Sequence, residues 1–509
     1  MEERNAKSNF LKEEIIKIGI PLTIVFIIFL KVSKNLNYFF GLDSWFHISV
    51  IKKIIITQNF SMLIPLDPSY PTLFPPLFHI FNSIYSIIIG QIPEKVMHFI
   101  PLLFWLLIVL FVFIIIRGFF DSKTAFIGAI LTSLIPTTTF GGGMFLPRPQ
   151  IMGELFILVL LWVLFYSQDD LSYKNVILLI LLAISIPLIH SFSGLILFPL
   201  IFLAFIFATS EKYKIKKIIL FFLGILIVFF SFYFRILFKW GFPKKGGSLN
   251  ILVSSINPFI NLKDMGDFFG ILFMSFGILS IILIIFIKSK KEEKGYKSFL
   301  IIWITLLISI LILNKFGISI LPKRIFYELI YPLIFIMSFV ISYLIKKYNK
   351  YLIIFVLVLL IIIQFFNVIS FNPEKDNLST LQYNSFQEVS HLINQEDFVG
   401  TDIWSCYYVS AISQKKCYYM TGLYSNSEIK KEKFLMFFNG EYNDYEEYKI
   451  QKILIYKPLT FTWISSENKK INNKYLPEEE IYYNLEKLES SKKIERLYED
   501  ENLILFEVK

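Results

Sequence analysis

The chain has 509 residues, of which 55% are hydrophobic and only 18% charged, with 56 phenylalanines and a mean hydropathy of +0.61. This composition excludes collagen-like, disordered and disulfide-scaffold proteins, and apolar runs of about twenty residues recurring up to residue 370 mark a multi-pass membrane protein. The net charge of +10 is a sum of +16 over residues 1–370 and −6 over residues 371–509, so it does not imply a nucleic-acid partner.

In chain order, runs able to span a bilayer fall at about 15–32, 97–116, 124–140, 151–167, 175–190, 192–209, 218–238, 268–287, 298–314, 325–344 and 351–369. That makes eleven expected crossings in a transmembrane domain over residues 1–370. Between the first and second spans, residues 33–96 form a long loop. Its Phe46–Phe60 stretch is amphipathic, with Lys52 and Lys53 on the polar side. The following Leu73–Gly90 run is apolar, but Pro75-Pro76, His79 and Asn82 near its start suit an interfacial or re-entrant helix better than a lipid-exposed span. Residues 371–509 contain no run long enough to cross and are expected to form a water-exposed α/β domain. Within it DFVGTDI and KILIYK read as strands, PEEEIYYNLEKLESS as an amphipathic helix, and KIERLYEDENLILFEV as a hairpin about Asp500-Glu501-Asn502.

The basic clusters set the expected orientation. Arg4, Lys7, Lys12 and Lys17, then Arg117 and Lys123, Lys212 to Lys217, Lys288 to Lys297, and Lys346 to Lys350 fall on one side of an eleven-span scheme. The positive-inside rule makes that side the cytoplasm and puts the C-terminal domain outside the cell membrane. Cys406 and Cys417 then face an oxidising exterior, which permits either a disulfide or two buried thiols.

Ionisable groups collect at the other side. They are Asp43 and His47 in GLDSWFH, Asp67 in a proline turn, Arg148 and Glu154 around RPQIMGE, His190 at the end of the fifth span, Arg235 and Lys239 at the end of the seventh, and Lys323, Arg324 and Glu328 at the head of the tenth. A charge at membrane depth is disfavoured by roughly 2.5–3.5 kcal/mol on insertion scales, which makes each a functional candidate. Each also has an ordinary role. Asp43 is placed to cap the helix after it, Lys323 and Arg324 to snorkel, His190 to sit satisfied at an interface, and Asp67 to shape a turn. Glu154 and Glu328 are harder to assign this way, because an acid inside an apolar helix requires a partner.

The order of these groups resembles the GT-C superfamily of membrane glycosyltransferases, and distantly the catalytic subunits of archaeal and bacterial oligosaccharyltransferases. The first loop opens with Gly41-Leu-Asp43-Ser-Trp-Phe46-His47, passes through IKKIIITQNF and reaches the proline-rich LIPLDPSYPTLFPP. Arg148 and Glu154 match the arginine and acids of a later loop, SSINPFINLKDMGDFFG matches a third, and Arg324 in PKRIFYELIYP matches a phosphate-contacting arginine. The chain departs from that pattern in carrying Glu154 without a second acid, Asn257 where a glutamate is expected, and no Trp-Trp-Asp-Tyr-Gly acceptor motif. The nearest segment to that motif is Trp404-Ser-Cys-Tyr407-Tyr408.

The resemblance implies transfer of a hexosyl or oligosaccharyl group from a polyprenyl-phosphate-linked donor to a glycan, lipid or protein acceptor on the outer face. Asp43 is the expected base or acceptor-orienting carboxylate, with Glu154 and His47 as further catalytic candidates. Arg324 is the expected phosphate contact, with Arg148, Lys323 and His190 as further donor-binding candidates; a guanidinium offers phosphate a permanent charge and two donors. Whether a cofactor takes part is open. A sparse Mg²⁺ or Mn²⁺ site would draw on Asp43, Glu154 and Asp67. The alternatives are a transporter or flippase of lipid-linked saccharide, which would need polar groups along a route through the whole bilayer, and a catalytically degenerate GT-C relative.

Overall fold

The computed structural model describes residues 2–33, 42–59, 75–135, 147–166, 172–190, 193–208, 270–288, 293–313, 328–348, 350–369, 378–417, 450–458 and 477–509, with isolated positions 223, 325, 460 and 465. The expected span 218–238 therefore lies almost wholly outside the described residues, as do Asp67, Asn257, Lys323 and Arg324.

Helices dominate. In order they are α1 (Glu2–Ser33), α2 (Leu42–Thr57), α3 (Leu77–Ile89), α4 (Pro93–Phe119), α5 (Ser122–Ser133), α6 (Pro149–Tyr166), α7 (Tyr173–Ile189), a π-helical turn (Ser193–Leu197), α8 (Phe198–Ala208), α9 (Ile271–Phe286), α10 (Lys294–Leu313), α11 (Ile330–Lys347) and α12 (Lys350–Ile369). The C-terminal part adds α13 (Thr380–His391), β1 (Phe398–Gly400), α14 (Ile403–Ser413), β2 (Lys416–Cys417), β3 (Ile450–Tyr456), α15 (Glu478–Ser490), β4 (Ile494–Glu499) and β5 (Leu503–Val508). Among the described residues five helices are long and apolar enough to cross a membrane: Lys12–Ser33, Pro93–Phe119, Pro149–Tyr166, Lys294–Leu313 and Ile330–Lys347. Others, including Lys174–Ile189, Phe273–Phe286 and Ile353–Phe366, are apolar but shorter. At 13 residues α3 is also too short to span, since each helical residue rises only about 1.5 Å.

The chain falls into two compact units, one of residues 1–35, 99–241 and 250–373, the other of residues 36–98, 242–249 and 374–509. In the first, α6 and α11 are the most buried of the long helices. Small residues let neighbours approach. A Cβ on Gly128 of α5 would lie 2.2 Å from Ile116 Cδ1 and 3.4 Å from Ser338 Oγ, and Thr124 Oγ1 donates to Ser342 Oγ of α11 at 2.8 Å. One end of this unit is tied by charge. Asp121 caps α5 by accepting from the Thr124 N–H at 2.8 Å and takes the Lys346 ammonium at 2.5 Å, while Glu14 pairs with Arg117 at 3.1 Å. Beside that end an aromatic cluster closes the packing, with Phe119 stacked on Tyr296 and edge-on to Phe165, both at 4.4 Å.

In the second unit α2 packs on α3 and α14, and a five-stranded mixed sheet has the order β2-β1-β3-β5-β4. β1 runs parallel to both β2 and β3, whereas β5 is antiparallel to β3 and β4. Of the residues read as strands, KILIYK falls in β3 but for its last residue, whereas only Phe398–Gly400 of DFVGTDI are strand and its Ile403 opens α14; the acidic helix is α15, and the hairpin turns at Asp500, whose side chain accepts from the Asn502 and Leu503 N–H groups at 2.7 and 2.6 Å. The Leu503–Phe506 segment of β5 is fully buried, which fits a central strand covered on both faces. Ser379 and Gln382 form a reciprocal capping box at the start of α13. Cys406 and Cys417 are disulfide-bonded with Cα atoms 5.8 Å apart, fastening α14 to β2.

One expectation is corrected here. α2 already includes Leu42, so Asp43 lies within its first turn and does not precede the helix as its cap.

Candidate functional site

In the first unit a polar node is built on the opening turns of α6. Pro149 begins the helix, as suits a residue with no N–H to leave unbonded. Gln150 and Glu154 then stand four apart on one face, and the Gln150 amide donates to Glu154 Oε1 at 3.1 Å and reaches Glu328 Oε1 at 3.5 Å. The Tyr331 hydroxyl of α11 donates to Glu154 Oε2 at 2.5 Å. Both acids are buried, 1% and 3% exposed, and each oxygen of Glu154 meets a donor, as a carboxyl group taken out of water requires. Glu328 stands two residues ahead of α11, where its carboxyl meets the Gln150 amide.

His190 reaches the same part of α6. It closes α7, its N–H donating to the Ile186 carbonyl at 3.0 Å. Ser193 Oγ lies 2.8 Å from His190 Nδ1, and the Ser193 backbone N–H donates to that nitrogen at 3.4 Å. Because a backbone N–H only donates, Nδ1 is an acceptor and the neutral ring carries its proton on Nε2. The corner fits against Gly153. A Cβ there would come within 2.8 Å of Ser193 Oγ and 3.0 Å of His190 Cβ. Arg148, half-buried, directly precedes α6 at this end.

The second unit holds a different constellation. His47 of α2 and His79 of α3 meet at 2.9 Å between Nδ1 and Nε2, both buried, and His79 Nδ1 lies 3.3 Å from the Pro75 carbonyl. The rings of Phe46 and Phe78 wall the pair edge-on at 5.7 and 5.6 Å from His47. Burial pushes the His79 imidazole down to about 4. One turn beyond His47 on α2, Lys52 pairs with buried Glu94 at 2.5 Å and donates to the Ala411 carbonyl of α14 at 2.7 Å, and the Tyr383 hydroxyl donates to Glu94 at 3.3 Å. Tyr407 and Tyr408 of α14 pack edge-on against Phe46 and Trp45 of α2, at 5.9 and 5.5 Å. The GLDSWFH helix and the Trp404–Tyr408 segment are thus direct neighbours. Asp402, fully buried, starts α14 by accepting from the Ser405 N–H at 3.0 Å and the Thr460 hydroxyl at 2.5 Å.

Of the residues singled out in the sequence, Glu154, Glu328 and His190 come together around α6, with Arg148 at its head. His47 lies in the second unit. Asp43 is in α2, its side chain outside the described residues, and Asp67, Lys323 and Arg324 lie outside them altogether. Gln150, Tyr331, Ser193 and His79 complete these groups and were not among the sequence candidates. The signals that would have flagged them are a glutamine four before a buried acid, a tyrosine three after one, a serine three after a helix-ending histidine, and a histidine four after a proline carbonyl. Among the described residues no three His, Cys, Asp or Glu side chains are grouped to hold a metal ion. Glu154 has both oxygens engaged, by Gln150 and Tyr331, an arrangement that fixes the orientation of its carboxyl group.

No family model matches the chain, and no curated protein matches it significantly in sequence. Solved structures do match in fold. The oligosaccharyltransferase of Archaeoglobus fulgidus in its apo form superposes with a TM-score of 0.61 at 14% identity, over 86% of this chain and 69% of that one. The oligosaccharyltransferase AglB of the same organism, in complex with an inhibitory peptide and a dolichol-phosphate, gives 0.60 at 15% identity over 85% and 69%. ArnT of Cupriavidus metallidurans bound to undecaprenyl phosphate gives 0.60 at 9% identity and covers 97% of both chains. The fold is therefore GT-C-like, mostly helical with a C-terminal mixed sheet, and similar to two kinds of membrane glycosyltransferase.

Proposed function

We propose that this protein is a membrane glycosyltransferase that moves a hexosyl or oligosaccharyl group from a polyprenyl-phosphate-linked donor to a glycan, lipid or protein acceptor on the outer face of the cell membrane. The observation that carries this reading is the likeness to ArnT over 97% of both chains, in a structure holding undecaprenyl phosphate, together with AglB holding a dolichol-phosphate. Two proteins of this fold that bind a polyprenyl-type phosphate make the same headgroup the natural ligand here. The eleven-span topology, with the N-terminus cytoplasmic and residues 371–509 extracytoplasmic, belongs to the same proposal and rests on the lysine clusters.

The chemistry asks for fixed positive charge on a departing phosphate and for a group that orients or deprotonates the acceptor. Arg324 takes the first role, with Arg148, Lys323 and His190 as further donor contacts. Asp43 takes the second as base or acceptor-orienting carboxylate, with His47 and Glu154 beside it in role. The His190 tautomer supports its part, since a proton on Nε2 makes that nitrogen a donor, as a phosphate oxygen demands. Protein acceptors are the least favoured of the three classes, because the Trp-Trp-Asp-Tyr-Gly motif is absent.

Purified protein in lipid nanodiscs, supplied with polyprenyl-phosphate-linked sugars and a panel of acceptors, should release polyprenyl phosphate and form glycosylated product. Asp43→Asn and Arg324→Ala should each lower turnover by about a hundredfold or more. Undiminished turnover by Asp43→Asn would overturn its assignment, and no transfer by the wild type from any such donor would overturn the reading as a whole.

A further inference from the structure

Tyr331 of the polar node is in the first turn of α11, and the last turn of the same helix carries Lys346 and Lys347. Its 18 residues rise about 1.5 Å each, which gives about 27 Å against a hydrocarbon core of about 30 Å. A helix that crosses a bilayer over this length puts the node and the lysines at opposite surfaces. At the lysine end the first unit gathers the last turns of α4 and α11 and the first turns of α5, α10 and α12. Phe119 stacks there on Tyr296, Phe120 packs on Phe339 at 4.5 Å, and the Lys297 ammonium donates to the Ile287 carbonyl just after α9 at 2.7 Å.

Charge at this end is lopsided, since basic side chains outnumber acidic ones among the described residues. Three of the acids are already matched: Asp121 by Lys346 at 2.5 Å, Glu14 by Arg117 at 3.1 Å and Glu13 by Lys17 at 2.6 Å. Lys288, Lys294, Lys347 and Lys350 are exposed and form no ion pair among the described residues. Their charge is left to be balanced by anions that meet this surface.

Two of these lysines are also held in place. Lys347 Nζ lies 5.5 Å from the ring centroids of both Tyr343 and Tyr348, and Lys350 Nζ lies 5.0 Å from that of Tyr351. Tyr348 and Tyr351 are 59% and 74% exposed, and an amphipathic ring of this kind suits the boundary between hydrocarbon and water. A ring face engages one side of an ammonium and leaves donors on its other side for an oxygen anion. A lysine that served only to mark sidedness would need its charge and no ring beneath it.

We propose that this end of the first unit is a docking surface for the phosphate-bearing headgroups of anionic lipids, with Lys347 and Lys350 at its centre and Lys288 and Lys294 beside them. It lies at the end of α11 away from the polar node, so the lipid it holds is a component of the bilayer and not the sugar donor. The proposal does not depend on transfer chemistry.

The test uses the full chain in phosphatidylcholine nanodiscs, probed with spin-labelled phosphatidylglycerol and, as reference, spin-labelled phosphatidylcholine. Electron paramagnetic resonance separates lipid held at the protein from bulk lipid. The anionic label should associate about fivefold more strongly at low salt, the amount that one well-placed lysine contributes, and the preference should shrink in concentrated sodium chloride. Lys347→Gln/Lys350→Gln alters exposed positions only, and thermal unfolding checks that it is folded; it should remove more than half of the preference. Tyr348→Leu/Tyr351→Leu keeps every charge and should still weaken the preference, and no change there overturns the role given to the rings. Inorganic phosphate should displace no more label than chloride at matched ionic strength, and specific displacement by phosphate would make this a site for the free anion. Equal association of the two labels with the wild type, or an unchanged preference in Lys347→Gln/Lys350→Gln, overturns the proposal.

Discussion

Tyr331 donates its phenolic proton to Glu154 at 2.5 Å, joining α11 to α6 across 177 positions of the chain. The bond is internal to a buried polar node, so removing the hydroxyl leaves a carboxyl oxygen with no donor in a place water does not reach. Tyr331→Phe should destabilise the protein by about 1–3 kcal/mol. The double variant Tyr331→Phe/Glu154→Leu should lose less than the two single changes combined, because the acid stranded by the first change is gone. Thermal unfolding of all four proteins in nanodiscs measures the coupling, and strict additivity would show that the two side chains do not act together.

Gly153 marks where the His190–Ser193 corner leans on α6. In Gly153→Ala the new methyl would sit 2.8 Å from Ser193 Oγ and 3.0 Å from His190 Cβ, with no flexible chain end to move aside. Overpacking of this kind is unfavourable by about 1–3 kcal/mol. It should also raise the KM for a polyprenyl-phosphate donor if His190 contacts that donor, while a methyl at Gly19 in the interior of α1, which meets nothing within 4 Å, should leave KM unchanged and not destabilise the protein. A Gly153→Ala protein as stable as the wild type would contradict the close packing described here.

How far these groups could be read from sequence depended on how unusual each residue is in its setting. Glu154 and His190 stood out because ionisable groups are rare in apolar runs, and the β4–β5 hairpin because apolar residues alternate on either side of Asp500-Glu501-Asn502. Tyr331 and Gln150 did not stand out. An aromatic or an amide near a helix end is common, and only the fold reveals that both meet one carboxyl group. The α14 helix was missed because WSCYYVSAIS is rich in aromatic and small residues that suit a strand equally well; the buried Asp402 at its start, bonded to Ser405 and Thr460, decides for the helix. Asp43 was read as capping a helix that begins after it, whereas α2 already includes Leu42, since nothing in GLDSWFH marks whether the first turn begins before or after the acid.

Lys52 was read only as the polar side of an amphipathic segment, and its partner Glu94 lies 42 positions on, beyond any local pattern. The pair is 2.5 Å apart with Glu94 1% exposed, and Lys52 also satisfies the Ala411 carbonyl. Breaking such a pair from one side leaves an uncompensated buried charge. Lys52→Met should therefore destabilise the second unit by about 3–5 kcal/mol, and Lys52→Met/Glu94→Leu by distinctly less. Chemical denaturation followed through a reporter in the second unit gives both values. A single variant no worse than the double would show that the charge on Glu94 is otherwise compensated.

The buried His79 also makes stability depend on pH, with a sign that follows from its shift. Its folded value is about 4 against 6.5 for the free side chain, so between those limits the unfolded chain binds a proton that the folded protein refuses. The stabilisation is complete above pH 6.5, declines as the pH falls towards 4, and changes no further below that. A shift of this size corresponds to roughly 3 kcal/mol across the window. His79→Phe removes the titrating group, so its stability should be flatter than that of the wild type between pH 6.5 and 4. The difference between the two proteins reports the linked titration of His79 and the His47 ring bonded to it. Parallel pH profiles for the two would mean that the ring is protonated as readily inside the fold as outside it.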